Sequence, residues 1–286
     1  MNFNLPSPAK LNLFLHILGQ RDDGYHNLQT VFQLLDFGDT ISFSDDSQSD
    51  IALDFPDTTI RPEENLIYRA AKLLQAQVTK TLPGVRISVR KKLPMGGGIG
   101  GGSSNAATTL LGLNHHWNLK LSLDHLAQLG RQLGADVPVF VRGKSAWAEG
   151  IGEQLKPVEL PSRWYLVLKP NCSISTQRIF SHKDLTRNTP AITLAAFLEV
   201  GGKNDCQPLV EKLYPEVKDA VAWLRQHGPT QLTGTGACIF AAFADEQSAQ
   251  KAYAQRPEQL EGFVAQGVNT SPLHRRLQSL FYTTGT

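Results

Sequence analysis

The sequence predicts a two-domain protein that mixes strands and helices, and three observations carry that expectation. Its 286 residues exceed one ordinary domain and supply ample core-forming material. The first half reads as strands followed by helices, whereas the second alternates the two signals. Pro157, Pro161 and Pro170 punctuate the middle, so the boundary is expected near residue 160, between a domain of residues 1–160 and one of 161–286.

Along the chain, residues 10–17 alternate with Leu11, Leu13, Leu15 and Ile17 on one face, which predicts a strand. Short strands follow at 39–44 and 51–55, then an amphipathic helix over 64–79. Residues 85–93 alternate again, with Val85, Ile87 and Val89 on one face. Beyond a glycine-rich stretch, Ala107, Leu110, Leu111 and Leu113 support a helix, and a second is expected over 123–133. The apolar run 137–141 reads as a short strand, with others at 145–148, 154–158 and 164–168. In the second half, helices are expected at 194–200, 206–213, 216–226 and 247–254, and strands at 231–233, 239–244 and 263–268. The small-residue segment 233–238 lies between two of these strands and reads by itself as a tight hairpin turn.

Composition narrows the function classes. With 41% hydrophobic and 19% charged residues the chain is expected to be globular and soluble. Twenty-eight Lys and Arg against 26 Asp and Glu leave a net charge of +2, which by itself gives no case for nucleic acid. The apolar stretch 11–18 is interrupted by Asn12 and His16 and lacks a small-residue cleavage site, so no signal peptide is expected, nor any membrane span. Cys172, Cys206 and Cys238 lack CxxC spacing, which argues against a disulfide framework or structural zinc and for a cytoplasmic protein with reduced thiols.

The chemistry centres on residues 94–109, PMGGGIGGGSSNAATT, with six glycines among positions 96–102. Glycine has no Cβ, so this backbone can take positive φ and turn its N–H groups toward a polyphosphate. Ser103 or Ser104 is then expected to cap a helix whose positive end faces the same anion. A Walker A loop would need a lysine after Gly102, and none follows. Gly96, Gly98 and Gly101 satisfy GxGxxG, but the ribose-binding acid should end the next strand about 20 residues on, where Asp124 instead begins a helical pattern. A flexible linker is the remaining alternative, and the abutting strand and helix weigh against it.

Three other places carry polar residues in unusual settings. Lys10 and Asn12 sit in an apolar strand, where an unpaired ammonium is expensive to bury, so Lys10 either reaches solvent or has a partner. Tyr25 and His26 follow Arg21, Asp22, Asp23 and Gly24 in what is either a binding loop or a turn with one packed tyrosine. Asp136, after Gly134, is either a turn residue or a carboxylate held beside the phosphates. An alcohol kinase needs such a carboxylate to orient the hydroxyl and accept its proton, with a cation nearby. Spacing alone does not say whether Lys10 and Asp136 meet.

The segments PAKLNLFL at 8–15, PMGGGIGGGSSNAA at 94–107, GADVPVF at 134–140 and LTGTGA at 232–237 closely resemble motifs of the galactokinase, homoserine kinase, mevalonate kinase and phosphomevalonate kinase superfamily. Within it, GYH at 24–26, ENLI at 64–67 and the run 134–143 resemble the 4-(cytidine-5′-diphospho)-2-C-methyl-D-erythritol kinase family, over essentially the whole chain. The resemblance implies an α+β protein of two domains: an N-terminal ATP-binding domain like domain 2 of ribosomal protein S5 and a ferredoxin-like C-terminal domain, with the active site in the cleft between them. It implies phosphorylation of the substrate's 2-hydroxyl by ATP with Mg²⁺. ATP is then expected at Asn65, Leu66, Lys91, Pro94, Met95, Gly96, Gly97, Gly98, Ile99, Gly100, Gly101, Gly102, Ser103 and Ser104. Asp136 is implied as catalytic base with Lys10 polarising the pair, Asn12 and Thr176 as substrate contacts, and cytosine between Tyr25 and Phe180, read by His26. Residues 234–237 would close the far wall. The metal ligands stay open, although a hydroxyl of Ser103 or Ser104 is a candidate.

The partner expected is thus a small cytidine diphosphate, with no nucleic acid, membrane or obligate protein partner. Another alcohol kinase of the superfamily is the nearest alternative. A non-catalytic RNA-binding module would suit the S5-like half-fold but gains little from a net charge of +2. A dinucleotide oxidoreductase leaves the other motifs unused.

Overall fold

A computed structural model of the chain describes residues 2–48, 50–79 and 81–281. Its frame is a long antiparallel hairpin of β1 (Phe3–Gln20) and β2 (His26–Asp46), turned at residues 21–25. Beside it lie β3 (Ile51–Asp54) and β4 (Gly84–Arg90), a parallel pair, with β4 antiparallel to β2. On this part of the sheet pack α1 (Leu66–Gln75), α2 (Gly101–His116), α3 (Leu123–Arg131) and α4 (Val137–Arg142). The small strands β5 (Ala146–Glu149) and β6 (Gln154–Pro157) extend β2 near its start.

The second half contributes β7 (Trp164–Lys169), β8 (Thr230–Leu232), β9 (Ile239–Phe243) and β10 (Glu261–Val268), lying side by side in the order β10-β7-β9-β8. Helices α5 (Thr176–Phe180), α6 (Leu194–Val200), α7 (Gln207–Leu213) and α8 (Pro215–Leu224) connect β7 to β8, and α9 (Glu246–Ala254) connects β9 to β10. Because Gly267 and Val268 of β10 pair with Leu35 and Leu34 of β2, one sheet runs through both halves. After β10 the chain returns to the first half, where α10 (Pro272–Phe281) buries Leu273 and Leu277 in the core with Leu5, Phe43, Ile87 and Leu110. Burying such a leucine contributes roughly 1.5–3 kcal/mol, so this last helix is part of the first core's stability. A second core gathers Leu168, Val210, Val221 and Ile239, and a third, with Leu11, Ile99, Tyr165 and Phe240, joins the halves beneath the glycine loop.

Four expectations need correction. The run 137–141 is helical: Pro138 in the first turn presets φ, Gly143 at φ +66° ends the helix, and all five residues are buried, so no polar face marks the period. The glycine-loop helix is capped by neither serine. Gly100, at φ +73°, is its N-cap, and Ser103 and Ser104 lie within the first turn. The helix expected over 64–79 is α1 alone, preceded by a 3-10 turn at Pro62–Glu64 and capped by Asn65, whose Oδ1 accepts from the Ile67 N–H. Finally, β2 begins at His26, well before residue 39, since Thr30 to Leu35 are buried without alternation, and α5 and α10 had no counterpart in the sequence reading.

Candidate active site

Lys10 and Asn12 project from β1 where its register against β2 shifts, between Pro8 and Lys10 and again between Asn12 and Leu15. Such irregularities re-aim side chains, here toward the interior of a cleft. Lys10 is only 3% exposed. Its ammonium has three protons to place, and Nζ donates to Asn12 Oδ1 at 2.6 Å and the Gly98 carbonyl at 3.0 Å while lying 3.1 Å from Asp136 Oδ2. Burial of the charge is therefore compensated, and Lys10 does not reach solvent. Asp136, half-buried at the start of α4, makes no capping hydrogen bond, so its carboxylate faces the cleft beside the ammonium. Asn12 is fixed from behind, its Nδ2 donating to Thr30 Oγ1 at 3.0 Å and its backbone N–H to Thr233 Oγ1 at 2.9 Å.

The glycine loop forms one side of a cleft of about 410 Å³ whose walls include Asn65, Leu66, Lys91, Pro94, Met95 and every residue from Gly96 to Ser103. Gly96, Gly98 and Gly100 take φ of +67°, +72° and +73°, so left-handed residues recur at every second position and the loop curls into a nest ahead of α2. Space forbids a side chain as well: a Cβ on Gly98 would lie 2.4 Å from the Thr233 carbonyl oxygen. The segment 233–238 is more than a hairpin turn, because the N–H groups of Ala237 and Cys238 donate to the carbonyls of Gly96 and Gly97 at 3.3 and 3.0 Å. Lys91 Nζ donates to Asp39 Oδ2 at 2.5 Å, and Asp39 Oδ1 accepts from the N–H groups of Lys92 and Leu93. Ser104 is set apart from the expected ATP contacts: it is fully buried, and its Oγ accepts from Ser7 Oγ at 3.0 Å behind the loop.

Gly98, Ser103 and Asp136 also line a second space of about 280 Å³ with Lys10, Asn12 and Thr176. That space shares Leu28, Ala135, Ile151, Thr176 and Phe180 with a third, of about 620 Å³, lined by Tyr25 and His26. The three form one path with the Lys10–Asp136 pair at its middle. Thr176 Oγ1 and Thr235 Oγ1 are 2.9 Å apart, and Tyr25, at the hairpin tip, is 60% exposed. His26 is buried against Phe180, ring centroids 5.2 Å apart, and Arg187 Nε donates to its Nε2 at 3.0 Å. Burial, and then the Arg187 guanidinium, pushes the His26 pKa below the ordinary imidazole value.

Sequence reasoning missed four residues that hold this arrangement. Thr233 lay within a quoted motif, and Asp39 stood beside Gly38 as a charge in a strand pattern, a signal that was present. Thr30 and Arg187 had none, being an ordinary strand threonine and an isolated arginine in a polar loop.

Residues 65–144 match the GHMP kinases N terminal domain and 183–262 the GHMP kinases C terminal domain. The chain is 55% identical over 280 residues to a 4-diphosphocytidyl-2-C-methyl-D-erythritol kinase of Marinobacter nauticus, covering 96% of this chain and 98% of that one. A Haemophilus ducreyi protein of the same name is 58% identical over 274 residues, with 96% and 97% covered. The chain belongs to the 4-diphosphocytidyl-2-C-methyl-D-erythritol kinase family. A crystal structure of a 4-(cytidine 5'-diphospho)-2C-methyl-D-erythritol kinase superposes with a TM-score of 0.83 at 30% identity, covering 93% of this chain and all of that one. A Methanococcus jannaschii mevalonate kinase, 17% identical, superposes at 0.69 over 94% of this chain and 98% of its own and shares the fold. The family's architecture is the mixed α/β GHMP kinase fold with N- and C-terminal domains. No helix among the described residues is long and apolar enough to cross a membrane.

Proposed function

We propose that this kinase transfers the γ-phosphoryl group of ATP to the 2-hydroxyl of 4-diphosphocytidyl-2-C-methyl-D-erythritol, a step of isoprenoid precursor synthesis. The observation that carries the reading is the Lys10–Asp136 pair, 3.1 Å apart where the glycine-walled cleft meets the aromatic-walled one. Asp136 is assigned as the base that orients the tertiary hydroxyl and accepts its proton, and Lys10 offsets charge on the carboxylate and the transferring group. The Gly96 to Gly102 nest and the N-terminus of α2 hold the phosphates, with Ser103 at the cleft and adenine toward Asn65, Leu66 and Lys91. Asn12 and Thr176 contact the acceptor, while Tyr25 and Phe180 grip cytosine and His26 reads its edge.

Among the described residues no group of three or more His, Cys, Asp or Glu side chains could hold a metal. Magnesium would be held largely by phosphate oxygens, with the Ser103 hydroxyl and Asp136, which line the same cleft, as protein candidates. When bound, it supplies charge neutralisation along the polyphosphate.

The domains are taken to divide near residue 160, with α10 returning to the first. Strands followed by helices support the S5-like assignment of the first domain, and the β10-β7-β9-β8 order supports the ferredoxin-like assignment of the second. The three cysteines are free, in keeping with a cytoplasmic enzyme. A coupled assay of ADP release tests the activity with the cytidine diphosphate acceptor beside mevalonate, homoserine and galactose. ADP release with one of those alcohols and none with the cytidine compound would return the chain to the wider superfamily.

A further inference from the structure

We propose that Arg187 is a positioning residue that makes His26 a one-way hydrogen-bond donor toward the base and so selects cytosine over uracil; this rests on the cytidine reading above. Arg187 Nε donates to His26 Nε2 at 3.0 Å. A guanidinium has only donors, so Nε2 must present its lone pair, and the proton of the neutral ring then sits on Nδ1. Among the described residues no hydrogen-bond partner engages Nδ1, and His26 lines the 620 Å³ cleft beside Phe180 and Tyr25.

The guanidinium cannot turn away to release the ring. Its NH2 group donates to the carbonyls of Phe180 and His182 at 2.9 and 2.8 Å, and NH1 donates to that of Leu185 at 3.2 Å. One half-buried fork thus fixes both the backbone of the stacking Phe180 and the tautomer of the reading His26. Stacking accepts any base, so selection must come from hydrogen bonds at the base edge. Cytosine offers an unprotonated N3 there, whereas uracil N3 carries a hydrogen. A fixed Nδ1–H donor matches the first and opposes the second. A ring free to exchange tautomers would adapt to either base.

Two measurements on the full-length enzyme separate this role from simple structural support. The imidazole ¹⁵N resonances of His26, assigned with His26→Gln, are expected to report Nδ1 protonation in the free wild type and a mixed or Nε2-protonated ring in Arg187→Gln. Competition by CDP and UDP is expected to favour CDP in the wild type, with the ratio narrowing about tenfold or more in Arg187→Gln, the worth of one discriminating hydrogen bond. Arg187→Lys keeps a donor-only cation and is expected to keep most of the preference. A merely structural arginine would weaken both nucleotides alike, and a ratio unchanged in Arg187→Gln overturns the role of Arg187 alone. Equal inhibition by CDP and UDP in the wild type overturns the selection and the cytidine reading together. If Arg187→Gln does not fold, the wild-type spectrum decides, and a ring protonated at Nε2 overturns the proposal.

Discussion

The two ends of the cleft are made of different material. At the glycine-loop end a contiguous stretch of backbone does the shaping, and glycines at positive φ matter because they add no atoms. At the Tyr25 end the walls are side chains brought from the β1–β2 turn, the start of β2 and α5, among them Tyr25, His26 and Phe180, with Arg187 donating to His26 from the loop beyond. A pocket of backbone is broken by adding atoms, and a pocket of side chains by removing them. The Lys10–Asp136 pair stands between and belongs to both.

That contrast orders the mutations. The largest effect is expected at the junction, where Asp136→Asn keeps shape but lowers kcat by roughly 10²- to 10⁴-fold, the usual loss on removing a general base. Lys10→Ala should also lower it, and the double mutant should lose less than the product of the single losses, because the two groups act as a unit. Independent effects in a kinetic cycle would separate the pair.

At the backbone-built end, Gly98→Val adds atoms where a Cβ already meets carbonyl oxygens of Thr233 and Gly236 at 2.4 and 2.9 Å. Backbone strain of about 1–3 kcal/mol and overpacking of a similar size should weaken ATP roughly 10²-fold or more. Calorimetry finding normal ATP affinity in a folded Gly98→Val protein would erase the distinction between the ends. At the side-chain-built end, Tyr25→Ala removes one aromatic face, about 1–3 kcal/mol of stacking. The acceptor KM should rise while the ATP KM stays nearly constant, and a defect confined to ATP would contradict a base pocket there.

The smallest effect is a control remote from both ends. His274 is packed on Gly143 with its Nε2 unpartnered, and burial lowers its pKa. Above the ordinary value of 6.5 it is neutral whether folded or not. As pH falls below that value, the unfolded chain takes up a proton that the folded one resists, so stability declines until the depressed folded pKa is passed. The unfolding free energy from urea titrations should drop between pH 7 and 5 by no more than about 1.4 kcal/mol per pH unit for this group, and His274→Gln should flatten the slope.

The same contrast explains what was legible in the sequence. The left-handed turns of residues 96–100 could be read directly, because a loop of positive φ is written as a run of the residue that allows it. The pair of Lys10 and Asp136 was visible only as two oddities, 126 positions apart, since no local pattern encodes their meeting. Arg187 was invisible, because one arginine in a polar loop resembles any other until the fold brings it against His26. Residues 137–141 misled for a physical reason: an element buried on every side loses the polar face that distinguishes helix from strand.

The return of α10 to the first core sets an order on synthesis. A ribosome that has released residue 160 has delivered the glycine loop, Asp136 and most of the first half, yet neither β10, which flanks β2, nor Leu273 and Leu277, which fill that core. The nascent first half must wait with an open sheet edge and an unfilled apolar surface until the whole intervening half has been translated. Vectorial folding of one half before the other is thereby limited, and the enzyme's two halves mature together.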